Sequence, residues 1–170
     1  MSDLPLHEHY ILYIDLLGYK AIMSERSEID FLKVSDKSYC RAKQMIGTMS
    51  QETHSNSRFK YKVFSDNIVV ATEAGSTEAD STHALYSLSF IAYLLQREFI
   101  KNGIMCRGAL TKGQLSINSE YVFGSGLIRA VELEDTIAYY PRIIVDRLPE
   151  VGSIQKSTAT YSFLRIMMGM

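Results

Sequence analysis

The chain has 170 residues, 46% of them hydrophobic, which is the size and composition of one domain with a full core. Eighteen basic and nineteen acidic side chains leave a net charge of −1, so the overall charge gives no indication of a nucleic-acid-binding or membrane-surface protein. The first ten residues lack a basic region followed by an apolar run, and no apolar stretch approaches membrane-spanning length, so we expect a cytoplasmic protein without a secretory signal or membrane contact.

The first predicted element is a strand over residues 9–14, a run rich in β-branched and aromatic side chains, as in a strand buried on both faces. The strand ends at Asp15. A long amphipathic helix is predicted from about Ser27 to Gln51, with Ser27 as its N-cap. Its expected apolar face consists of Ile29, Leu32, Tyr39, Ala42, Met45 and Ile46.

A hairpin is predicted after a polar loop over residues 52–57. Residues 59–64 alternate between polar and apolar, residues 68–71 are continuously apolar, and Ser-Asp-Asn at 65–67 forms an acidic tip between them. The next segment, 78–102, has apolar side chains at three- and four-residue steps, which predicts a second long helix that ends before Gly103.

The remaining segments predict strands over 104–110 and 114–117 with a turn at 111–113, then a helix over 125–138 and a strand over 141–146. The order β-α-β-β-α-β-β-α-β predicts an α+β sandwich, with helices covering a mainly antiparallel sheet. We assign residues 1–151 to this domain. Residues 152–170 form a tail whose apolar side chains need a partner surface, either on the domain or at a homodimer interface.

Two acidic residues, Asp15 and Asp66, lie at positions that this topology would bring close together. Taken alone, Asp15 would more often cap the next helix, and Asp66 would more often form a turn. In a β-α-β-β order, however, the end of the first strand and the hairpin tip lie side by side on neighbouring central strands. Two carboxylates brought together there repel unless they share cations, as in a two-metal phosphoryl-transfer site with Mg²⁺ or Mn²⁺.

Four segments between residues 9 and 146 carry motifs in a fixed order. Residues 15–19 read Asp-Leu-Leu-Gly-Tyr, residues 62–66 read Lys-Val-Phe-Ser-Asp, residues 107–113 begin with Arg-Gly, and residues 127–134 end with Glu-Leu-Glu. In the same order, these four segments are similar to four known motifs, which read Asp-aliphatic-x-Gly-aromatic, Lys-x-x-Gly-Asp, Arg-x-Gly-x-His-x-Gly and Val-Asn-x-Ala-Ala-Arg-Leu-Glu. The sequence therefore resembles the class III nucleotidyl cyclases, which include adenylate and guanylate cyclase domains.

The resemblance implies a ferredoxin-like β-α-β-β-α-β sandwich of the cyclase and palm type. It also implies a two-metal site in which Asp15, Asp66 and the Leu16 carbonyl hold Mn²⁺ or Mg²⁺. The backbone amides of Leu17, Gly18 and Tyr19 would cradle the terminal phosphates of a nucleoside triphosphate, and Lys62, Phe64 and Tyr121 would adjoin its base. Because active sites in this family lie between two catalytic domains, a homodimer is implied.

Several positions depart from the family pattern. Ile128 and Glu132 stand where the family has its transition-state asparagine and arginine, and Arg107 is the best replacement cation for catalysis. Tyr121 stands where purine cyclases have a base-reading aspartate. The chain has Phe-Ser-Asp-Asn at 64–67, Arg-Gly-Ala at 107–109 and Glu-Leu-Glu at 132–134. With these segments it looks like the pyrimidine cyclases of bacterial Pycsar antiphage systems. It is then expected to cyclise UTP or CTP into a messenger that a downstream effector reads in phage defence.

Other interpretations stay open. Arg107 could instead pair with a nearby carboxylate, Lys62 could be a solvated surface lysine, and Lys112 and Arg129 are weaker candidates for the catalytic cation. The whole chain could be a catalytically inactive cyclase-like module for nucleotide binding or dimerisation, as Ile128 and Glu132 favour. A palm-type polymerase is disfavoured, because binding a template requires a basic stripe. Cys40 and Cys106 lack metal-ligand spacing and are expected to be reduced thiols.

Overall fold

A computed structural model describes residues 6–19, 24, 28–52 and 59–149 of the chain. Ser27 and the tail over 152–170 lie outside these residues, so the N-cap and the domain boundary stay predictions. The described elements are listed here in chain order: β1 (His7–Leu16), α1 (Glu28–Glu52), β2 (Lys60–Phe64), β3 (Asn67–Glu73), α2 (Glu78–Lys101), β4 (Cys106–Ile117), β5 (Val122–Phe123), α3 (Ser125–Ile137) and β6 (Ile143–Val145). None of the described helices is long and apolar enough to cross a bilayer.

The strands form one mixed sheet in the order β2-β3-β1-β4-β5, with β6 also paired to β4. Strand β1 runs antiparallel to both of its neighbours, β3 and β4, and among the described strands only the β4–β6 pairing is parallel. The first four strands therefore have the order of a ferredoxin-like sheet, and the predicted α+β fold is confirmed.

Strand β1 is the centre of the core because both of its faces are covered. Tyr10, Leu12 and Ile14 face the side covered by α2 and part of α1, while Ile11 and Tyr13 face α3. All five side chains are buried. This burial explains why the strand reads as a continuous apolar run rather than an alternating one.

The turn predicted at residues 111–113 is wrong. β4 continues from Cys106 to Ile117 and pairs with β1 along the whole length of that strand. Gly113 serves another purpose, because a Cβ at this position would lie 2.7 Å from the Cα of Gly126 at the start of α3. The glycine therefore permits close contact between strand and helix, and Thr111 reinforces it by donating to the Gly126 carbonyl at 3.0 Å.

Helix α1 lies close to its predicted bounds but exposes two residues of its expected apolar face. Tyr39 packs edge-on against Phe99 of α2, whereas Ile29 and Leu32 are 63% and 64% exposed. Asn102, just after the end of α2, donates to Ser38 Oγ of α1, next to the contact between Tyr39 and Phe99. Ile29 and Leu32 lie six or more residues before Ser38 and are largely exposed, whereas Ser35 is buried.

Candidate functional site

Asp15 lies near the end of β1, opposite Asn67 of β3 and Arg107 of β4. Together with Phe64 of β2, these residues form one cross-strand row on the face of the sheet that α3 covers. The Asp15 side chain is 20% exposed, which makes it a partly buried carboxylate at the edge of the core.

Asp66 lies in the two-residue turn between β2 and β3. Ser65 adopts a positive φ of 55° in this turn, and the Asp66 carbonyl accepts the backbone N–H of Leu16 at 3.0 Å. The Asn67 amide donates to Asp66 Oδ1 at 3.2 Å, and the Tyr13 hydroxyl donates in turn to Asn67 Oδ1. The hairpin tip is thus attached to the end of β1, and the structure brings Asp15 and Asp66 together as the topology predicted.

The two carboxylates influence each other electrostatically. Burial raises the pKa of Asp15 above its ordinary value and the charge of Asp66 raises it further, while Arg107 opposes both effects. Burial, followed by the Asp15, Glu134 and Asp66 charges, raises the pKa of the neighbouring Tyr13 to about 12. The site therefore contains negative charge in a partly desolvated place, which a cation would stabilise.

These residues fit a hard divalent cation, because carboxylate and carbonyl oxygens are the ligands that Mg²⁺ and Mn²⁺ prefer. Asp15, Asp66 and the Leu16 carbonyl are the candidate set. Over the described ranges, no group of three or more His, Cys, Asp or Glu side chains is placed to hold a metal. Backbone, water or substrate oxygens would therefore have to complete the coordination.

The loop after β1 carries the predicted phosphate-binding amides. Gly18 is exposed and has a φ of +75°, a conformation that favours glycine. The Leu17 N–H already donates to the Met105 carbonyl at 2.8 Å. The Leu17 amide is therefore already engaged, whereas Gly18 is exposed as the predicted role requires.

Arg107 pairs with two carboxylates. Its Nε contacts Glu134 Oε1 of α3 and lies 3.5 Å from Asp15 Oδ2. The structure thus shows the ion-pair alternative for Arg107, and the catalytic role stays a prediction. Glu134 was not predicted as a site residue. It lies four residues after Ala130 on the inward-facing stripe of α3, and an acidic residue in such a stripe indicates a buried ion pair.

The predicted base-binding residues lie further along the same face. Lys62 of β2 donates from Nζ to the Ser119 carbonyl in the β4–β5 loop, and both residues line a cavity of about 770 Å³. Phe64 is 46% exposed and lies in the cross-strand row of Asp15, with Asn67 between them. Tyr121 lies in the same β4–β5 loop, with its ring 5.1 Å from that of Phe123. Lys62 and this loop are therefore brought together.

The remaining candidates lie away from the carboxylates. Lys112 is opposite Tyr10, five positions along β1 from Asp15, and pairs with Glu8 at 3.3 Å. Arg129 forms a two-bond ion pair with Asp146 at 2.9 and 3.0 Å. On the outer side of α3, Ile128 is 61% exposed and Glu132 is also exposed. Both cysteines are free thiols, with Cys40 exposed and Cys106 buried.

No protein-family model matches the chain, and no curated protein is significantly similar to it in sequence. Among solved structures, it is similar to the non-canonical dimeric guanylyl cyclase domain of the RhoGC fusion protein from the aquatic fungus Blastocladiella emersonii. That match has a TM-score of 0.60 at 16% identity and covers 95% of this chain and 84% of the other.

Two further structures share the fold. The catalytic core of a rhodopsin-guanylyl cyclase with converted specificity, solved in complex with ATPαS, gives a TM-score of 0.59 at 14% identity and covers 94% of this chain and 82% of that one. A class III adenylyl cyclase-like ATP-binding protein from Pseudomonas aeruginosa gives a TM-score of 0.51 at 12% identity, covering 96% and 43%. The chain therefore has the fold of class III cyclase domains.

Proposed function

We propose that this chain is a nucleotidyl cyclase catalytic domain that converts a pyrimidine nucleoside triphosphate, UTP or CTP, into its 3′,5′-cyclic nucleotide and pyrophosphate. The observation that carries the proposal is the meeting of Asp15 and Asp66 at adjoining ends of β1 and β3, on a sheet with the cyclase strand order. Two carboxylates in a partly buried position suit the binding of divalent cations and, with them, a triphosphate.

The substrate would lie along the face of the sheet that carries both sets of residues. Lys62 of β2 and Asp15 of β1 are on this face, with β3 between their strands, and their cross-strand rows are two positions apart along β1. From strand spacing and rise, they are roughly 12 Å apart, a separation that suits the base and phosphates of one nucleotide. The base would then occupy the cavity beside Lys62 and Ser119.

The chain's own groups would bind and orient the substrate. Asp15, Asp66 and the Leu16 carbonyl would hold the cations, and the exposed backbone at Gly18 would approach the terminal phosphates. When bound, two Mn²⁺ or Mg²⁺ ions would lower the pKa of the ribose 3′-hydroxyl and neutralise charge on the leaving pyrophosphate. Tyr121, a tyrosine where purine cyclases resembling this chain have an aspartate, supports a pyrimidine base.

A homodimer completes the proposal. Ile128 and Glu132 offer no group that could stabilise negative charge on the transferring phosphoryl group, so Arg107 or a residue of a second copy would have to supply one. The dimeric guanylyl cyclase domain with the same fold supports this arrangement. From the resemblance to Pycsar cyclases, we further propose that the cyclic product is a second messenger in phage defence, read by a separate effector.

The test is incubation of the protein with each of the four nucleoside triphosphates and Mn²⁺, with products resolved by chromatography. Cyclic UMP or cyclic CMP plus pyrophosphate is the expected result, abolished in Asp66→Asn and retained in Asp135→Asn, a matched control at an exposed position of α3. Polymer, linear products or a cyclic purine nucleotide alone would contradict the proposal.

A second function is favoured by one specific observation. The side chains at positions 128 and 132 lack the family's catalytic groups, and a cyclase-like protein of the same fold is an ATP-binding protein. A module that binds nucleotide without cyclising it would leave every triphosphate unchanged in the same incubation. It would still show saturable nucleotide binding by calorimetry, and that binding would weaken in Asp66→Asn.

A further inference from the structure

Arg107 is shared unequally between two carboxylates of the site. Its Nε is in direct contact with Glu134 Oε1, whereas Asp15 Oδ2 is 3.5 Å away. The Glu134 side chain is only 6% exposed, compared with 20% for Asp15. A carboxylate buried to this degree needs a charged partner, and the ion pair with Arg107 is the shorter of the two contacts. Arg107 Nε donates its hydrogen bond to Asp15 Oδ2, whereas Glu134 Oε1 accepts none from the described residues.

This unequal sharing leaves part of Asp15 accessible. Within the part of the chain that the structure describes, Asp15 Oδ1 accepts no hydrogen bond, and its Oδ2 accepts only the long one from Arg107. An arginine fully paired with a carboxylate binds both oxygens through its planar fork. A guanidinium released from Glu134 would have Asp15 as its neighbouring carboxylate and would cover the atoms that a cation needs.

We propose that Glu134 is a positioning residue that holds the guanidinium of Arg107 away from Asp15 and thereby keeps Asp15 available to a divalent cation. This inference rests on the proposed function, in which Asp15 is a metal ligand. Glu134 acts through Arg107 and does not itself contact the substrate or the metal. Its location on α3 makes the packing of that helix against β4 a condition for metal binding.

The test measures the affinity for Mn²⁺ alone, without nucleotide, from the electron paramagnetic resonance signal of free Mn²⁺. We expect Glu134→Gln to bind Mn²⁺ about tenfold more weakly, because Arg107 then pairs with Asp15. The double variant Glu134→Gln with Arg107→Gln removes the competing cation as well, and its affinity is expected to return to within about threefold of the wild-type value.

Glu132→Gln is the matched control. It removes the same charge from the same helix at an exposed position, two residues away, without contacting Arg107. Its Mn²⁺ affinity should stay within about twofold of the wild-type value, because exposed charges are screened. An equal loss in Glu132→Gln and Glu134→Gln would overturn the proposal in favour of a long-range charge effect.

A purely structural role for Glu134 gives a different pattern. In that case the double variant would bind Mn²⁺ no better than Glu134→Gln, and this result overturns the proposal. If Glu134→Gln fails to fold, the Mn²⁺ affinity of Arg107→Gln alone tests the proposal. Removing the competing guanidinium should strengthen Mn²⁺ binding, and a weaker affinity would contradict the inference. Wild-type protein that binds no Mn²⁺ overturns both this inference and the metal site of the proposed function, whereas normal wild-type binding with unchanged variants overturns the inference alone.

Discussion

The backbone N–H of Leu16 donates to the carbonyl oxygen of Asp66 at 3.0 Å. This bond joins the end of β1 to the hairpin turn one residue beyond Asp15, so main-chain atoms set the spacing between Asp15 and Asp66. Replacing either carboxylate therefore changes the charge of the site without removing the bond that holds the turn in place. The site is thus suited to neutral, isosteric substitutions.

The first prediction concerns the two carboxylates. Asp15→Asn and Asp66→Asn should fold and should each lose cyclase activity by at least about 100-fold, because the cations lose a ligand. Each should also lose the rise in Tm that Mn²⁺ gives the wild-type protein, since a ligand stabilises only the state that binds it. Thermal unfolding with and without Mn²⁺ measures this, and Asp135→Asn should keep the full rise. A variant of either aspartate that retains it would refute the metal site.

The second prediction concerns base selection by Tyr121. Its backbone N–H donates to Asn118 Oδ1 at 2.9 Å, so a side-chain substitution leaves this turn contact intact. We expect Tyr121→Asp to raise the ratio of kcat/KM for purine over pyrimidine triphosphates by about tenfold or more, because a carboxylate can accept hydrogen bonds from a purine. Competition assays with mixed triphosphates give the ratio directly. Tyr121→Phe, which adds no acceptor, should leave it unchanged.

The third prediction concerns two glycines with opposite surroundings. A Cβ at Gly108 in β4 would lie 2.2 Å from the Tyr13 carbonyl oxygen, whereas nothing lies within 4 Å of a Cβ at Gly47 in α1. Gly108→Ala must therefore push β4 away from β1, and we expect a loss of about 2 to 4 kcal/mol in the free energy of unfolding. Gly47→Ala should instead stabilise by about 0.5 to 1 kcal/mol, because alanine favours the helix. Urea unfolding measures both, and equal effects would contradict the packing of β4 on β1.

The fourth prediction concerns pH and the ion pair that joins α3 to the segment after β6. The two hydrogen bonds from Arg129 hold the pKa of Asp146 below its ordinary value of 3.8. A carboxyl with a lowered folded-state pKa stabilises the fold above that ordinary value and loses this contribution as the pH falls through the lowered one. Arg129→Gln should thus lower Tm by roughly 1 to 3 °C at pH 7 and by less below pH 3.8.

Thermal unfolding across this pH range, with Arg97→Gln as an exposed control on α2, separates the pair from a general charge effect. A difference between Arg129→Gln and wild type that persists unchanged at pH 2.5 would rule out the ion pair as its source.

Most of the fold could be predicted because local patterns and the final packing agree. β1 is apolar throughout since both of its faces are covered, and α2 has its buried residues at helical spacing between an N-cap at Thr77 and Gly103. The pairing of Asp15 with the hairpin turn followed from topology alone. The metal, phosphate and base roles of the site residues stay predictions.

Other features depend on contacts that a single segment does not reveal. Thr111-Lys112-Gly113 has the composition of a turn, but its small residues serve the approach of α3 to an uninterrupted strand. Ile29 and Leu32 follow the helical period of α1, yet they lie before the point where Ser38 contacts the end of α2, and both are exposed. The inward stripe of α3 indicates a buried charge at Glu134, but it does not identify Arg107 as the partner, because the partners of an ion pair can lie far apart in sequence.

The close contact between Gly113 and Gly126 also sets the separation between β4 and the first turn of α3. A side chain at either position would force the two backbones apart. Glu134 lies eight residues further along the same helix, about 12 Å along the axis at the rise of an α-helix. The height of the Glu134 carboxylate above Arg107 therefore depends in part on two residues that have no side chain.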